Sequence, residues 1–87
     1  MKIRDGFILR TVAGQNVVVP VGENCLNFNA AITLNETAAF LWDCLKEDQT
    51  EESLAAKLTE EYDVTYETAK ADIGVFLNVL REHEILE

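Results

Sequence analysis

Cys25, Cys44 and His83 are the side chains of this sequence best suited to nucleophilic or metal chemistry. A thiolate beside an imidazole would make a thiol enzyme, provided that a third group oriented the base. No third group suggests itself. The two cysteines stand nineteen positions apart, with no C-x-x-C and no second histidine to complete a metal set. They read as two free thiols, with Cys44 partly buried on a helix. His83 reads as a residue near a helix C-terminus, where a partly charged imidazole suits the dipole. The acid pairs Glu51, Glu52 and Glu60, Glu61 read as a solvated helix face rather than a general acid and base. Gly6, Gly14, Gly22 and Gly74 are isolated and lack the spacing of a phosphate-binding loop. No catalytic residue, metal or cofactor is expected.

Size and charge point the same way. The 87 residues hold one small core, with 48% hydrophobic and 26% charged residues, which is ordinary for a folded chain and favours binding over chemistry. Seven Lys and Arg against 16 Asp and Glu give a net charge of −9, which repels nucleic-acid phosphates and anionic membrane surfaces. No apolar run approaches the roughly 20 residues that span a bilayer. The opening "MKIRDGF" has neither the apolar core nor the small-residue cleavage site of a signal peptide, so the cytoplasm is the expected compartment, where a Cys25–Cys44 disulfide is disfavoured.

Any site must therefore be built from the elements themselves. The first third is extended: runs from Phe7 to Val12 and from Val17 to Val21 flank "AGQN", whose Gly14 and Asn16 tolerate the positive φ of a hairpin turn. Pro20 lacks a backbone donor and belongs at a strand end, a bulge or an outward position. A third strand is centred on residues 31–34. The period then changes within "ITLNETAAFLW" from alternation to a helical stripe of Ala38, Leu41, Trp42 and Leu45. Asn35 is a good N-cap for that helix, with Glu36 in its first turn, although Thr33 to Glu36 also has capping-box spacing.

Thr50 caps a second helix with an apolar face of Leu54, Ala55, Leu58 and Tyr62. Thr65 caps a third with Ala69, Ile73, Phe76, Leu77 and Leu80 on one face, after which "ILE" folds back on the core. The chain reads as a single α+β domain over residues 1–87, with strands within about residues 6–34 and helices over about 36–46, 51–62 and 66–83. The helices pack on one face of a small sheet. Such a sheet has at least one edge strand, whose unpaired amides and carbonyls are either protected or used.

Helix three carries more apolar surface than a core needs. Val75 and Val79 form a second row beyond the core stripe, and Gly74 interrupts the helix. A slightly wide core face accounts for this blandly. The functional reading is a groove beside the helix, with Gly74 permitting close backbone approach, that binds an extended peptide by strand addition at the free edge. A winged-helix DNA binder would fit the element order, but a recognition helix needs basic residues, and this one sets Glu67, Asp72, Glu82 and Glu84 against Lys70 and Arg81.

The order of a hairpin, then "ITLNETAAFLWDCL", then "TEESLAAKLTEEYDV", then "YETAKADIGVFLNVLREHEILE" resembles the PqqD-like proteins over almost the whole chain. The most specific pieces are Leu34 to Ala38 with Trp42 beyond, Tyr62-Asp63 closing helix two, and Ala71-Asp72-Ile73 with Phe76-Leu77 in helix three. The resemblance implies a small winged-helix-like domain, a three-stranded antiparallel sheet followed by three helices, that is neither an enzyme nor a DNA binder. It implies a recognition element for ribosomally made, post-translationally modified peptides. Such a domain holds the leader segment of a precursor as an added strand between strand three and helix three. It then presents that precursor to a modifying enzyme, often a radical S-adenosylmethionine (SAM) protein.

Carried onto this chain, the strand edge would be Ala31, Ile32, Thr33 and Leu34, acting through backbone groups. The helix wall would be Asp72, Val75, Phe76 and Val79, although Phe76 reads equally as core and Asp72 as a solvated helix residue; beside the groove Asp72 could pair with a basic leader residue. Nothing in the residues identifies pyrroloquinoline quinone biosynthesis as the pathway. The rival from another class is a structural or regulatory winged-helix module that binds a protein through its acidic surface. An unfilled strand edge also allows pairing with a second copy of the chain.

Overall fold

The computed structural model describes residues 1–21 and 32–87. The elements run β1 (Phe7–Val12), β2 (Gln15–Pro20), β3 (Ile32–Leu34), α1 (Glu36–Cys44), α2 (Glu51–Glu61) and α3 (Tyr66–Glu82). The strands form one antiparallel sheet in the order β1-β2-β3, so that among the described residues β2 is central and both β1 and β3 are edges. Ala31 and Cys25 lie outside the described residues, as does the segment expected to lead into β3.

Alternation along the strands sets one face of the sheet against the helices. Val18 on β2 is fully buried, flanked by Leu9 on β1 and Ile32 on β3. Each helix begins at the cap that its sequence announces. Asn35 accepts from the Ala38 amide at 2.8 Å, Thr50 from the Ser53 amide at 3.0 Å, and Thr65 from the Thr68 amide at 3.2 Å. Such a cap contributes about 1 kcal/mol by satisfying a donor that the first turn leaves unpaired. The apolar stripes then meet in one core: Leu41, Trp42 and Leu45 from the first helix and its cap, Leu54, Ala55 and Leu58 from α2, and Ala69, Ile73, Leu77 and Leu80 from α3. Phe40 on α1 meets Tyr62 edge-on at 5.7 Å, joining α1 to the end of α2.

The two ends of the chain tie the helices together. The Ile3 amide donates to the Leu45 carbonyl at 3.0 Å, and the Arg4 amide to the Ile85 carbonyl at 2.7 Å. Ile85 is fully buried, and Ile3 bridges Leu86, so the residues after α3 return across the base of the core. Gln49, buried in the α1–α2 loop, donates from Nε2 to the Cys44 carbonyl and accepts at Oε1 from Ser53 Oγ. Among the described residues no helix is long and apolar enough to cross a membrane.

Two local expectations change. The first helix ends at Cys44, and Lys46 and Glu47 follow in a tighter turn, their amides donating to the Asp43 and Cys44 carbonyls at 3.3 Å. The hairpin turn is Ala13-Gly14, with φ of 52° and 79°, while Gln15 and Asn16 belong to β2. The shorter turn adds two residue pairs to the ladder, and its twist matches that of the strands. It also holds Ala13, an L-residue with a Cβ, in the left-handed region, which costs about 1–2 kcal/mol. Replacing it with asparagine (Ala13→Asn) gives the preferred Asn-Gly turn, and urea unfolding should show about 1 kcal/mol of added stability. A loss of stability would contradict this turn geometry.

Candidate functional site

The direction of each backbone group in the sheet follows from the turn. A two-residue hairpin makes Val12 and Gln15 a hydrogen-bonded pair, and such pairs alternate along an antiparallel ladder. Odd-numbered residues of β2 therefore bond to β1, and the Val21 amide continues the series by donating to the Gly6 carbonyl at 2.8 Å. Even-numbered residues bond to β3, so Asn16 pairs through its backbone with Leu34, and Val18 with Ile32. Thr33 stands opposite Val17, which is turned toward β1. Its own N–H and C=O consequently point away from the sheet, to the open side of β3. Its side chain is exposed, whereas those of Ile32 and Leu34 are buried.

A groove runs along that open side, with a volume of about 300 Å³, between β3, the start of α1 and one flank of α3. Ile32, Thr33 and Leu34 form its strand edge, and Asp72, Val75, Phe76 and Val79 form its helix wall. Seven of the eight residues expected at a peptide site thus border one concavity, while Ala31 lies outside the described residues. Asn35, Ala38 and Leu41 line it as well, and sequence reasoning missed them. Ala38 and Leu41 were legible as a helical stripe, but a stripe does not tell which of its members reaches the rim of the core.

The helix wall grades from core to solvent. Phe76 is 5% exposed and belongs to the core with Ile73 and Leu77, Val79 is half-buried, and Val75 is 68% exposed. A single exposed apolar side chain is ordinary on a protein surface, and Val75 is singled out by its place on the groove wall. Gly74 lies off the groove-lining set, and a Cβ built on it meets nothing within 4 Å. Among the described residues no other backbone approaches Gly74 closely. The glycine is a tolerated break in helix propensity.

Chemistry at the thiol finds no support in its surroundings. Cys44 is free and half-buried, and its pKa is pushed up by burial, with Lys57 pulling it down less and Asp43 adding to the rise. The thiolate, the nucleophilic form, is thereby disfavoured at neutral pH. His83 caps the end of α3, with Nδ1 2.9 Å from the Val79 carbonyl.

The family described as coenzyme PQQ synthesis protein D (PqqD) matches residues 8–86. Among solved structures, TbiB1 in complex with the TbiA(beta) leader peptide is similar, with a TM-score of 0.77 and 25% identity. That likeness covers 100% of this chain and 95% of the other. Among curated proteins no relative matches.

The graded wall separates two kinds of substitution. Phe76→Ala should lower folding stability by about 3–5 kcal/mol, because it empties a core position. Val75→Ser should change it by no more than about 0.5 kcal/mol, as for a surface site. Urea denaturation of both variants measures the difference, and equal losses would contradict the placement of these side chains.

Proposed function

This chain belongs to the PqqD family, and from that premise we propose that it is a non-catalytic adaptor acting as a single recognition domain. It holds the leader segment of a ribosomally made precursor peptide as an added strand along β3. It then presents that precursor to a modifying enzyme, such as a radical SAM protein. One observation carries the reading: Thr33 directs an N–H and a C=O into a groove whose far wall is an apolar row on α3. Strand addition needs both parts, since ladder bonds give affinity and the pockets beside them select side chains. That the similar TbiB1 structure is a complex with a leader peptide supports a leader peptide as the ligand.

The net charge of −9 and the acid-rich surface of α3 speak against a nucleic-acid ligand. The raised pKa of Cys44 weighs against thiol chemistry. The adaptor works in the cytoplasm, where precursor peptides are made, and needs no cofactor of its own.

Thr33→Pro tests the reading selectively. Proline there removes only the outward N–H, because Thr33 donates no ladder bond to β2, and proline is tolerated on an edge strand. Affinity for the leader segment of a candidate precursor peptide, measured by fluorescence anisotropy, should fall about tenfold or more, from the lost hydrogen bond and the bulk of the ring. The thermal midpoint should stay close to that of the parent chain. Unchanged affinity in a folded Thr33→Pro variant would overturn strand addition at β3.

A further inference from the structure

A strand added beside Thr33 has its side-chain directions fixed by the pleat. The peptide residue that bonds to Thr33 turns its side chain outward with that of Thr33, and its two neighbours turn theirs inward, toward the helices. Those neighbours are two residues apart, about 6.7 Å along a strand. On the opposite wall, Asp72 and Phe76 are four residues apart, about 6 Å along a helix at 1.5 Å per residue. The two spacings nearly coincide. With the strand laid along the α3 axis, one inward side chain would meet the apolar patch of Phe76 and Val79 while the other stood level with Asp72.

Asp72 is the one charged residue among the ten described residues that line the groove. Its own helix does not neutralise it: Lys70 lies over the Tyr66 ring at 5.7 Å, and Arg81 reaches the Met1 sulfur at 3.6 Å. Among the described residues no cation stands within ion-pairing distance of Asp72. The surrounding field, from a net charge of −9, attracts cationic segments and repels anionic ones.

We propose that the groove selects a peptide bearing an apolar and a cationic side chain two residues apart. The apolar one seats on Phe76 and Val79, and the cationic one pairs with Asp72. This specificity rests on the adaptor reading above, but it is a separate property of the same site. The residue between them bonds to Thr33 through its backbone and is free in type.

The test uses ten-residue synthetic peptides of one scaffold with Leu-Thr-Lys, Leu-Thr-Gln or Leu-Thr-Glu at the centre. A second set carries the three residues in reverse order, and the candidate leader segment used to test Thr33→Pro runs in parallel. At low ionic strength, anisotropy titration should rank Lys over Gln over Glu in one of the sets, by about three- to fivefold per step, as for a solvent-exposed ion pair. Salt should compress the ranking. Asp72→Asn should flatten it and Asp72→Lys should reverse it, with the fold of each variant checked by its thermal midpoint. Equal affinities across both sets, or a ranking that survives Asp72→Lys, would overturn the charge selection and leave the adaptor reading standing. Binding of the leader with none of the synthetic peptides would overturn the motif alone. Binding of neither would overturn both.

Discussion

The passage from β3 into α1 takes a single residue. Leu34 ends the strand, Asn35 caps the helix, and Glu36 begins it. Both sides of that joint are held: Leu34 pairs with Asn16 and is buried, while the Asn35 side chain accepts from the Ala38 amide at 2.8 Å. Without slack between strand and helix, Thr33 cannot rotate its backbone toward β2 unless Leu34 leaves the core. The open edge is thus a consequence of core packing rather than a loose end. A one-residue slip would exchange the buried and exposed faces of β3.

The other wall is set by how α3 divides its circumference. Ala69, Ile73, Leu77 and Leu80 bind the helix to α2 and the rest of the core, and the return of Ile85 beneath it fixes its far end. Rotating from that stripe toward β3, burial falls from Phe76 through Val79 to Val75. Phe76 belongs both to the core and to the groove wall, whereas Val75 and Asp72 face solvent. A domain of this size has little stability to spare. Substitutions at the exposed Val75 and Asp72 leave that core intact.

Much of this was legible in the sequence because the signals were local. Alternation marked the strands, the three caps marked the helix starts, and the surplus row of Val75 and Val79 pointed to the groove before any fold was known. The misses have physical causes. Ala13 occupies a left-handed conformation against its own preference because two extra ladder pairs outweigh the strain, and no sequence rule assigns an alanine to that position. Asn35, Ala38 and Leu41 were read only as cap and core, since their place at the groove depends on where α3 crosses, a long-range fact. Gly74 attracted a functional reading from its residue type, yet the space around it is open.

The central claim concerns two backbone groups, and amide hydrogen exchange reads one of them directly. In the free protein the Thr33 N–H should exchange fast while those of Ile32 and Leu34, bonded to β2, are protected. Saturation with the leader segment should slow exchange at Thr33 by at least about tenfold, as an added strand takes up its donor. If the leader is bound and the Thr33 amide still exchanges as fast as in the free protein, the peptide does not add to β3, and the account is wrong.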